Sequence, residues 1–247
     1  MNPLFHAIAF LTRIPVPRLS AETKDWEKSV AYYPVVGLLI GTILWGAFLL
    51  AQYVFPLPLA AVIVLSFWIF ITGGLHLDGW MDLADGLGSS RTRERIFEIM
   101  KDSRVGAMGV TAAIVLFMIK GTALYEIAAS RSFFWLILPP FIARFSLVAA
   151  IWFWPYITER GMGTGLRSGL TGWLVLAGFL FTSIFAIFFY GWAGGAVLAA
   201  AFVTGWLFLR NVSRRLGGLT GDCYGALVEW IELNVLLFIV IAERFLV

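Results

Sequence analysis

The chain has 247 residues, of which 60% are hydrophobic and 13% are charged, and its formal net charge is +3. Soluble domains average roughly 45–50% apolar and about 25% charged residues. The composition therefore excludes an ordinary soluble protein and predicts an integral membrane protein. So small a net charge does not indicate binding to nucleic acid. The single cysteine, Cys223, excludes an intrachain disulfide and a metal site built from several cysteines.

Apolar segments that match the thickness of a bilayer, about 20 residues each, follow one another along the chain. The first thirteen residues, MNPLFHAIAFLTR, are apolar but lack a basic start and a cleavage site, so we expect a short helix lying on the membrane. Pro139 and Pro140 predict a kink or a break in the fourth span. The seven predicted spans are 33–54, 57–76, 107–129, 133–154, 171–189, 192–210 and 226–247.

These spans predict an all-α fold: a polytopic membrane helix bundle of about seven transmembrane helices plus short interfacial helices. One interfacial helix is expected within residues 91–106, where Ile96, Ile99 and Met100 form an apolar stripe. No segment indicates a second domain, so residues 1–247 are expected to form a single integral membrane domain.

Basic residues are concentrated on one side of the predicted bundle. If successive spans alternate in direction, fourteen Lys and Arg residues lie in the N-terminal segment and in the loops 77–106, 155–170 and 210–225, against two on the other side. Cytoplasmic loops carry such an excess. We therefore expect a cytoplasmic N-terminus and an external C-terminus. The acidic residues outside the spans sort to the same side, which predicts cytoplasmic chemistry.

The stretch GGLHLDGWMDLADG, residues 73–86, contains three aspartates without an intervening Lys or Arg. Asp78, Asp82 and Asp85 stand at i, i+4 and i+7, within roughly 60° of one another on a helix face. Three like charges raise one another's pKa unless a cation neutralises them. Mg²⁺ takes oxygen ligands and is commonly held by carboxylates and substrate phosphates. The triad therefore predicts a magnesium site, whereas a single aspartate there would be an ordinary surface residue.

Other polar groups allow a functional and a structural interpretation. His76 is either a ligand or base, or a hydrogen-bonded structural residue. In KDSRVG, residues 101–106, the basic side chains are placed to clamp phosphate or simply to mark the cytoplasmic flank of a span. GGLTGD, residues 217–222, leads into a helix start that suits an anion, and ERGMGTG, residues 159–165, is a similar but weaker signal. Within the spans, we expect structural ion pairs that join Lys120 and Arg144 to glutamates such as Glu126, Glu229 and Glu232.

Four blocks in this order resemble one family, cobalamin (5′-phosphate) synthase, also called adenosylcobinamide-GDP ribazoletransferase. They are FLTRIPVP, GGLHLDGWMDLADGLGSS, IFEIMKDSRVGAMG and GGLTGDCYGA, and the resemblance covers residues 9–232. Trp80 and Met81 replace a pair that is small or aliphatic in the family, and every carboxylate is kept.

The resemblance implies an enzyme of the bacterial cytoplasmic (inner) membrane that joins α-ribazole, or its 5′-phosphate, to adenosylcobinamide-GDP. In this reaction a ribose 3′-hydroxyl attacks the phosphate on the aminopropanol arm of the corrinoid, and GMP leaves. Mg²⁺ is the implied cofactor. The implied partners are the two substrates and the lipid bilayer, and homo-oligomerisation is left open.

The family's chemistry also implies roles for particular residues of this chain. Asp78, Asp82 and Asp85 are expected to hold Mg²⁺ on the diphosphate, with Asp222 as a further ligand. Asp85 and His76 are the two candidates for the base that accepts the ribose proton. The residues expected to bind substrate are Arg13, Lys101, Asp102, Ser103, Arg104, Gly218, Thr220 and Gly221.

Two other functions are compatible with carboxylates on membrane helices. A CDP-alcohol-phosphotransferase-like lipid enzyme also displaces a nucleoside monophosphate, but its D-G-x-x-A-R spacing is absent, because Met81 and Asp82 occupy the Ala-Arg positions. A cation-coupled transporter usually places its ligands near the bilayer midplane, whereas these aspartates follow the predicted end of a span.

Overall fold

A computed structural model describes residues 2–19, 22–89, 91–159 and 161–245 of the chain. In these ranges the fold is helical and contains no β-strand. Short 3₁₀ turns cover Val30–Tyr32, Phe133–Ile137 and Leu166–Gly169. The α-helices are α1 Asn2–Leu11, α2 Thr23–Ser29, α3 Tyr33–Val54, α4 Leu57–Thr72, α5 Leu75–Gly88, α6 Arg93–Met100, α7 Ala107–Ala129, α8 Leu138–Phe153, α9 Gly172–Leu216 and α10 Gly221–Phe245.

Among the described residues, five helical segments are long and apolar enough to cross a membrane, and α4 with α5 makes a bent sixth. The longest segment, α9, is itself two helices joined at Gly191, whose φ of 61° and ψ of −150° are not helical. The rings of Phe179 and Phe202 lie 6.0 Å apart on either side of this glycine. The arms 172–190 and 192–216 therefore pack antiparallel. With the arms counted separately, the fold agrees with the expected seven or so spans.

The second predicted span, 57–76, is too long at its C-terminal end. The helix α4 ends at Thr72, and Gly73 and Gly74 follow with φ values of 67° and 70°. Two successive left-handed residues end a helix, and glycine adopts that conformation without steric cost. After them α5 continues at 93° to α4. The aspartate triad therefore lies on a separate helix at a right angle to α4.

The proline pair does not kink a span, because it lies in the first turn of one. A 3₁₀ turn, Phe133–Ile137, precedes α8, and Pro139 and Pro140 follow immediately inside the helix. At a helix start the missing N–H of proline has no intrahelical partner to lose. The predicted boundaries of the last two spans also shift, since α9 continues to Leu216 and α10 begins at Gly221. The predicted end at residue 247 lies outside the described residues.

The bundle is built around α10, which packs against α5, α7, α8 and α9. Beside it, α3 crosses α8 very closely through two glycines. A Cβ at Gly37 would lie 2.5 Å from the backbone oxygen of Pro140, and one at Gly41 would lie 2.5 Å from that of Ile137. Small residues that let helix backbones touch are a common way to pack helices in a bilayer.

Four charged side chains form a buried cluster, the ionic cluster, between α7, α8 and α10. The Nζ of Lys120 lies 2.5 Å from Glu229 and 2.7 Å from Glu232, and Arg144 forms an ion pair with Glu232. All four are buried or nearly so, with Arg144 at 0% exposure and Glu232 at 1%. Two positive and two negative charges balance, as buried charges require. The predicted structural pairing of Lys120 and Arg144 is confirmed.

Candidate active site

The first turns of α5 and α10 are pressed together through glycines. A Cβ at Gly79 would lie 2.7 Å from the backbone oxygen of Asp222, and one at Gly225 would lie 3.1 Å from that of His76. Residues larger than glycine would force the two backbones apart. This close approach places Asp222 of α10 beside the acidic face of α5.

The glycine-rich loop before α10 is held by a second loop. The N–H of Ile157 donates to the backbone oxygen of Leu219 at 3.0 Å, and the N–H of Leu219 donates to that of Pro155 at 2.9 Å. Together these bonds make an isolated parallel bridge between the segments. The hydroxyl of Thr220 accepts the N–H of Cys223 at 3.4 Å. The start of α10 is therefore fixed on both sides.

A cavity of about 350 Å³ opens where these elements meet. The polar residues that line it come from α5, from the loop after α6, from the segment after α8 and from the start of α10, and the aromatic residues come from five different segments. The polar group is His76, Asp78, Lys101, Thr158, Thr220 and Asp222, and the aromatic group is Phe10, Tyr33, Phe97, Tyr156 and Tyr224. Six predicted site residues therefore line one space: His76, Asp78, Lys101, Thr220, Gly221 and Asp222.

Asp78 and Asp222 line this cavity, whereas Asp82 and Asp85 are not among its described lining residues. The four carboxylates are nevertheless close enough for Asp82 to be repelled by the other three. The helix α5 turns away from α4 by 93° and carries the triad beside the start of α10. Partial burial, followed by the negative charges of Asp78, Asp222 and Asp85, raises the pKa of Asp82 to about 6. A cation that enters the cluster would stabilise the charged carboxylate of Asp82 and lower this pKa. Asp78, Asp82 and Asp222 thus form one electrostatic unit, contributed by two helices.

The carboxylates do not form a complete metal site by themselves. Across the described ranges, no three His, Cys, Asp or Glu side chains stand at the spacing that a single metal ion requires. Asp78 is exposed, and Asp82 and Asp222 are half-buried. A cation held here therefore needs ligands from outside the chain as well.

The third member of the triad, Asp85, has hydrogen-bond partners on α7. One of its carboxylate oxygens accepts the N–H of Gly106 at 2.7 Å, and the other accepts the N–H of Gly109 at 2.8 Å. A Cβ at Gly109 would lie 2.5 Å from the same carboxylate. Asp85 thus caps the positive end of α7 and fixes α5 against it.

His76 connects the cavity to the ionic cluster. It is 4% exposed, and its Nδ1 lies 3.4 Å from the Nη2 of Arg144. Since a guanidinium only donates, Nδ1 accepts this contact and carries no proton. The imidazole is therefore neutral, and its ring proton is on Nε2.

Only one of the predicted phosphate ligands in the loop after α6 lines the cavity. Lys101 lines the cavity, but Arg104 is bound to its own neighbour. Its Nε and Nη2 donate to the two carboxylate oxygens of Asp102 at 3.0 and 2.7 Å. These bonds lower the pKa of Asp102 to about 2. Arg104, Asp102 and Ser103 are not among the described residues that line the cavity.

Two further predicted ligands are structural neighbours of the cavity and are not among its described lining residues. The Arg13 side chain lies against Gly73, where a Cβ would be 2.6 Å from the Arg13 Nε. Its backbone N–H donates to the oxygen of Ile71 at 2.7 Å, so it packs at the end of α4. Gly218, with φ at 156°, belongs to the loop that pairs with residues 155–157.

Sequence reasoning did not identify the aromatic part of the cavity. Tyr156 and Tyr224 stack with ring centroids 5.6 Å apart and 13° between their planes. Gly161 and Gly163 line the same space, and a Cβ on either would lie 2.9 Å from the Tyr156 hydroxyl. The motif ERGMGTG, which contains both glycines, was the available signal in the sequence. Tyr224, which stacks on Tyr156, stands within the motif GGLTGDCYGA.

Comparison with known proteins decides the family. The family described as Cobalamin-5-phosphate synthase matches residues 3–240. The chain belongs to this family. Two proteins named adenosylcobinamide-GDP ribazoletransferase illustrate the match. The protein of Brevibacillus brevis is 47% identical over 246 residues, which cover 97% of this chain and 98% of that protein. The protein of Desulfitobacterium hafniense is 40% identical over 245 residues, with 96% of each chain covered.

A third relative with the same name, from Pseudomonas syringae pv. syringae, is 38% identical over 240 residues, which cover 96% of this chain and 98% of that protein. No solved structure matches the chain significantly. The family match confirms the resemblance carried by the four blocks. It favours the ribazoletransferase of this family over the lipid phosphotransferase and the transporter.

Proposed function

We propose that this chain is the transferase that joins α-ribazole, or α-ribazole 5′-phosphate, to adenosylcobinamide-GDP and releases GMP. The family and the names of its relatives support this activity. The observation that carries the proposal is the meeting of Asp78 and Asp82 on α5 with Asp222 on α10 beside a cavity that also contains Lys101. Carboxylates that repel one another next to a basic side chain suit a substrate that brings both phosphate and cations.

The reaction exchanges one phosphorus–oxygen bond for another. A ribose 3′-hydroxyl of ribazole attacks the phosphate on the aminopropanol arm of the corrinoid and gives up its proton to water. The bond from that phosphorus to the bridging oxygen breaks, and the electron pair leaves with GMP. Such transfers are catalysed mainly by positioning and by neutralising charge. The chain therefore has to bind a diphosphate firmly and hold the hydroxyl in line with it.

The donor set fits Mg²⁺ that is shared with the substrate. Asp78, Asp82 and Asp222 offer hard oxygen ligands from two helices, and Mg²⁺ usually keeps several waters while binding one or two carboxylates and substrate phosphates. When bound, it would supply neutralisation of the diphosphate and of the leaving phosphate. The open arrangement is consistent with an ion that arrives with adenosylcobinamide-GDP.

The remaining predicted residues receive distinct roles in this proposal. Lys101 and the first turn of α10, at Thr220 and Gly221, bind phosphate oxygens, because a helix start presents N–H donors. Asp85 and His76 act as positioning residues and not as the base, since Asp85 accepts two N–H groups of α7 and the imidazole proton of His76 is on Nε2. Arg104 contacts substrate only if it releases Asp102.

We also propose that the basic end of the bundle faces the cytoplasm of a bacterial cell, with the N-terminus inside. The loops that surround the cavity all belong to this end, and the excess of Lys and Arg there supports the orientation. One of those basic residues, Arg160, lies outside the described residues. Cysteine-accessibility labelling at exposed Thr164 and Ser130 of otherwise cysteine-free protein, in right-side-out and inverted vesicles, tests the orientation.

The activity is tested with purified protein in proteoliposomes that receive both substrates and Mg²⁺. GMP should appear only when adenosylcobinamide-GDP and ribazole are both present. The variants Asp78→Asn, Asp82→Asn and Asp222→Asn should lower its release by on the order of 10²–10³-fold and raise the Mg²⁺ concentration needed for half-maximal rate. Glu94→Gln, an exposed carboxylate on α6, is the matched control. Near-normal rates for all three aspartate variants would refute the metal proposal, and GMP release without ribazole would refute the transfer.

A further inference from the structure

A second cavity, the apolar slot, lies on the opposite face of α8 from the candidate active site. It has a volume of about 430 Å³ and lies between α8, the two arms of α9 and Leu227 of α10. Phe145, Ala149 and Trp152 of α8 line it, whereas Leu147 and Ile151 line the carboxylate cavity. One helix therefore separates the two spaces, and the slot is not part of the proposed catalytic site.

The slot is apolar and open towards the side where lipid lies. Leu176 and Phe179 of the first arm are each 41% exposed, and Trp206 of the second arm is 48% exposed. Atoms that line an empty apolar space lose dispersion contacts that a filler would restore. In a bilayer the abundant filler is an acyl chain, and the slot lies between helices that span the membrane.

Two arginines lie over aromatic rings of the slot. The guanidinium of Arg210 lies 5.0 Å from the ring centroid of Trp206, and that of Arg167 lies 5.8 Å from the ring centroid of Trp152. Both tryptophans line the slot. Both arginines are exposed, and neither forms an ion pair with a carboxylate in the part of the chain that the structure describes. Tryptophan is typical of the headgroup level of a bilayer.

We propose that the apolar slot binds one acyl chain of an anionic phospholipid, whose phosphate is held by Arg167 and Arg210. Arginine matches phosphate with two parallel hydrogen bonds. Two positive charges without carboxylate partners favour a headgroup with a net negative charge over one that also carries an ammonium group. The bound lipid fills the space between α8 and the α9 hairpin and so joins the hairpin to the helix that backs the active site.

The test measures lipid binding by native mass spectrometry of the detergent-purified, delipidated protein with phosphatidylglycerol or phosphatidylcholine added at equal concentrations. The wild-type protein should bind the first phosphatidylglycerol more tightly than phosphatidylcholine. Replacing both arginines, Arg167→Ala with Arg210→Ala, should reduce that preference by about thirtyfold, since a basic residue near anionic lipid contributes about 1 kcal/mol. Ala149→Phe, which places a ring in the slot, should weaken the first binding of both lipids.

Arg244→Ala is the matched control, because Arg244 also lies over an aromatic ring, Phe245 at 5.6 Å, but at the other end of the bundle. It should keep the wild-type preference. Equal binding of the two lipids by the wild type, or an unchanged preference after both arginines are replaced, would overturn the headgroup assignment. Full lipid binding by Ala149→Phe would overturn the assignment of the acyl chain to the slot. A protein dimer that forms in the wild type and is lost in Ala149→Phe would also overturn it, because a second copy of the protein would then occupy the slot. Melting curves of each variant confirm folding, and none of these readings depends on the transferase activity.

Discussion

Removing one charge from the ionic cluster should destabilise the protein strongly. In Glu232→Gln, Arg144 keeps its place at 0% exposure but loses its carboxylate partner, while Lys120 still has Glu229 at 2.5 Å. Breaking a buried pair by removing one partner costs about 3–5 kcal/mol, because the remaining charge is left uncompensated. For a chain of this length the cost corresponds to a fall in melting temperature of roughly 6–20 °C.

The assay is thermal unfolding in a mild detergent, followed by tryptophan fluorescence, with two comparisons. Glu98→Gln breaks the exposed pair with Arg95 and should cost less than about 0.5 kcal/mol. The double variant Arg144→Met with Glu232→Met removes both charges and should recover most of the loss, since a buried pair replaced by apolar residues of similar volume is often neutral.

The cycle is decisive because charge balance predicts non-additivity. If Glu232→Gln melts within about 2 °C of the wild type, the reasoning from buried charge is wrong. It is equally wrong if the double variant loses as much stability as the single variants Arg144→Met and Glu232→Met do together.

Three further predictions follow from close contacts. Gly79→Ala, whose Cβ would lie 2.7 Å from the backbone oxygen of Asp222, should lower GMP release by about 10²-fold, whereas Gly46→Ala, which points into open space, should leave the rate unchanged. Asp85→Asn satisfies only one of the two N–H groups of α7 and should lower stability by about 1–3 kcal/mol in chemical unfolding; an unchanged midpoint would contradict the cap. Gly191→Ala forces a side chain onto φ 61° and ψ −150° and should cost about 1–3 kcal/mol by the same measurement; an unchanged midpoint would contradict the strain.

Much of the fold follows from apolar segment length. The predicted spans 33–54 and 107–129 coincide with α3 and α7, because each is bounded by polar or helix-breaking residues. The end of α4 could not be predicted this way. Hydropathy continues past Thr72, and the break depends on the left-handed backbone of Gly73 and Gly74, which composition does not reveal.

In the candidate site, too, neighbouring residues could be placed from the sequence, whereas contacts between distant residues could not. The spacing of Asp78, Asp82 and Asp85 predicted a shared helix face, since three and four residues make about one turn. What lies opposite that face is set by tertiary contacts. The partners of Asp85 are 21 and 24 residues further along the chain, and Tyr156 reaches the cavity only because its segment pairs with Leu219.

The right-angled bend after α4 has a consequence for how a large polar molecule reaches a membrane-embedded enzyme. Because α5 turns by 93° from α4 and packs against α10, its carboxylates meet Asp222 at one end of the bundle. In the proposed function, a corrinoid nucleotide binds at that end of the bundle, so its polar groups need not pass between the spanning helices. The product can then leave into the aqueous compartment without crossing any apolar barrier.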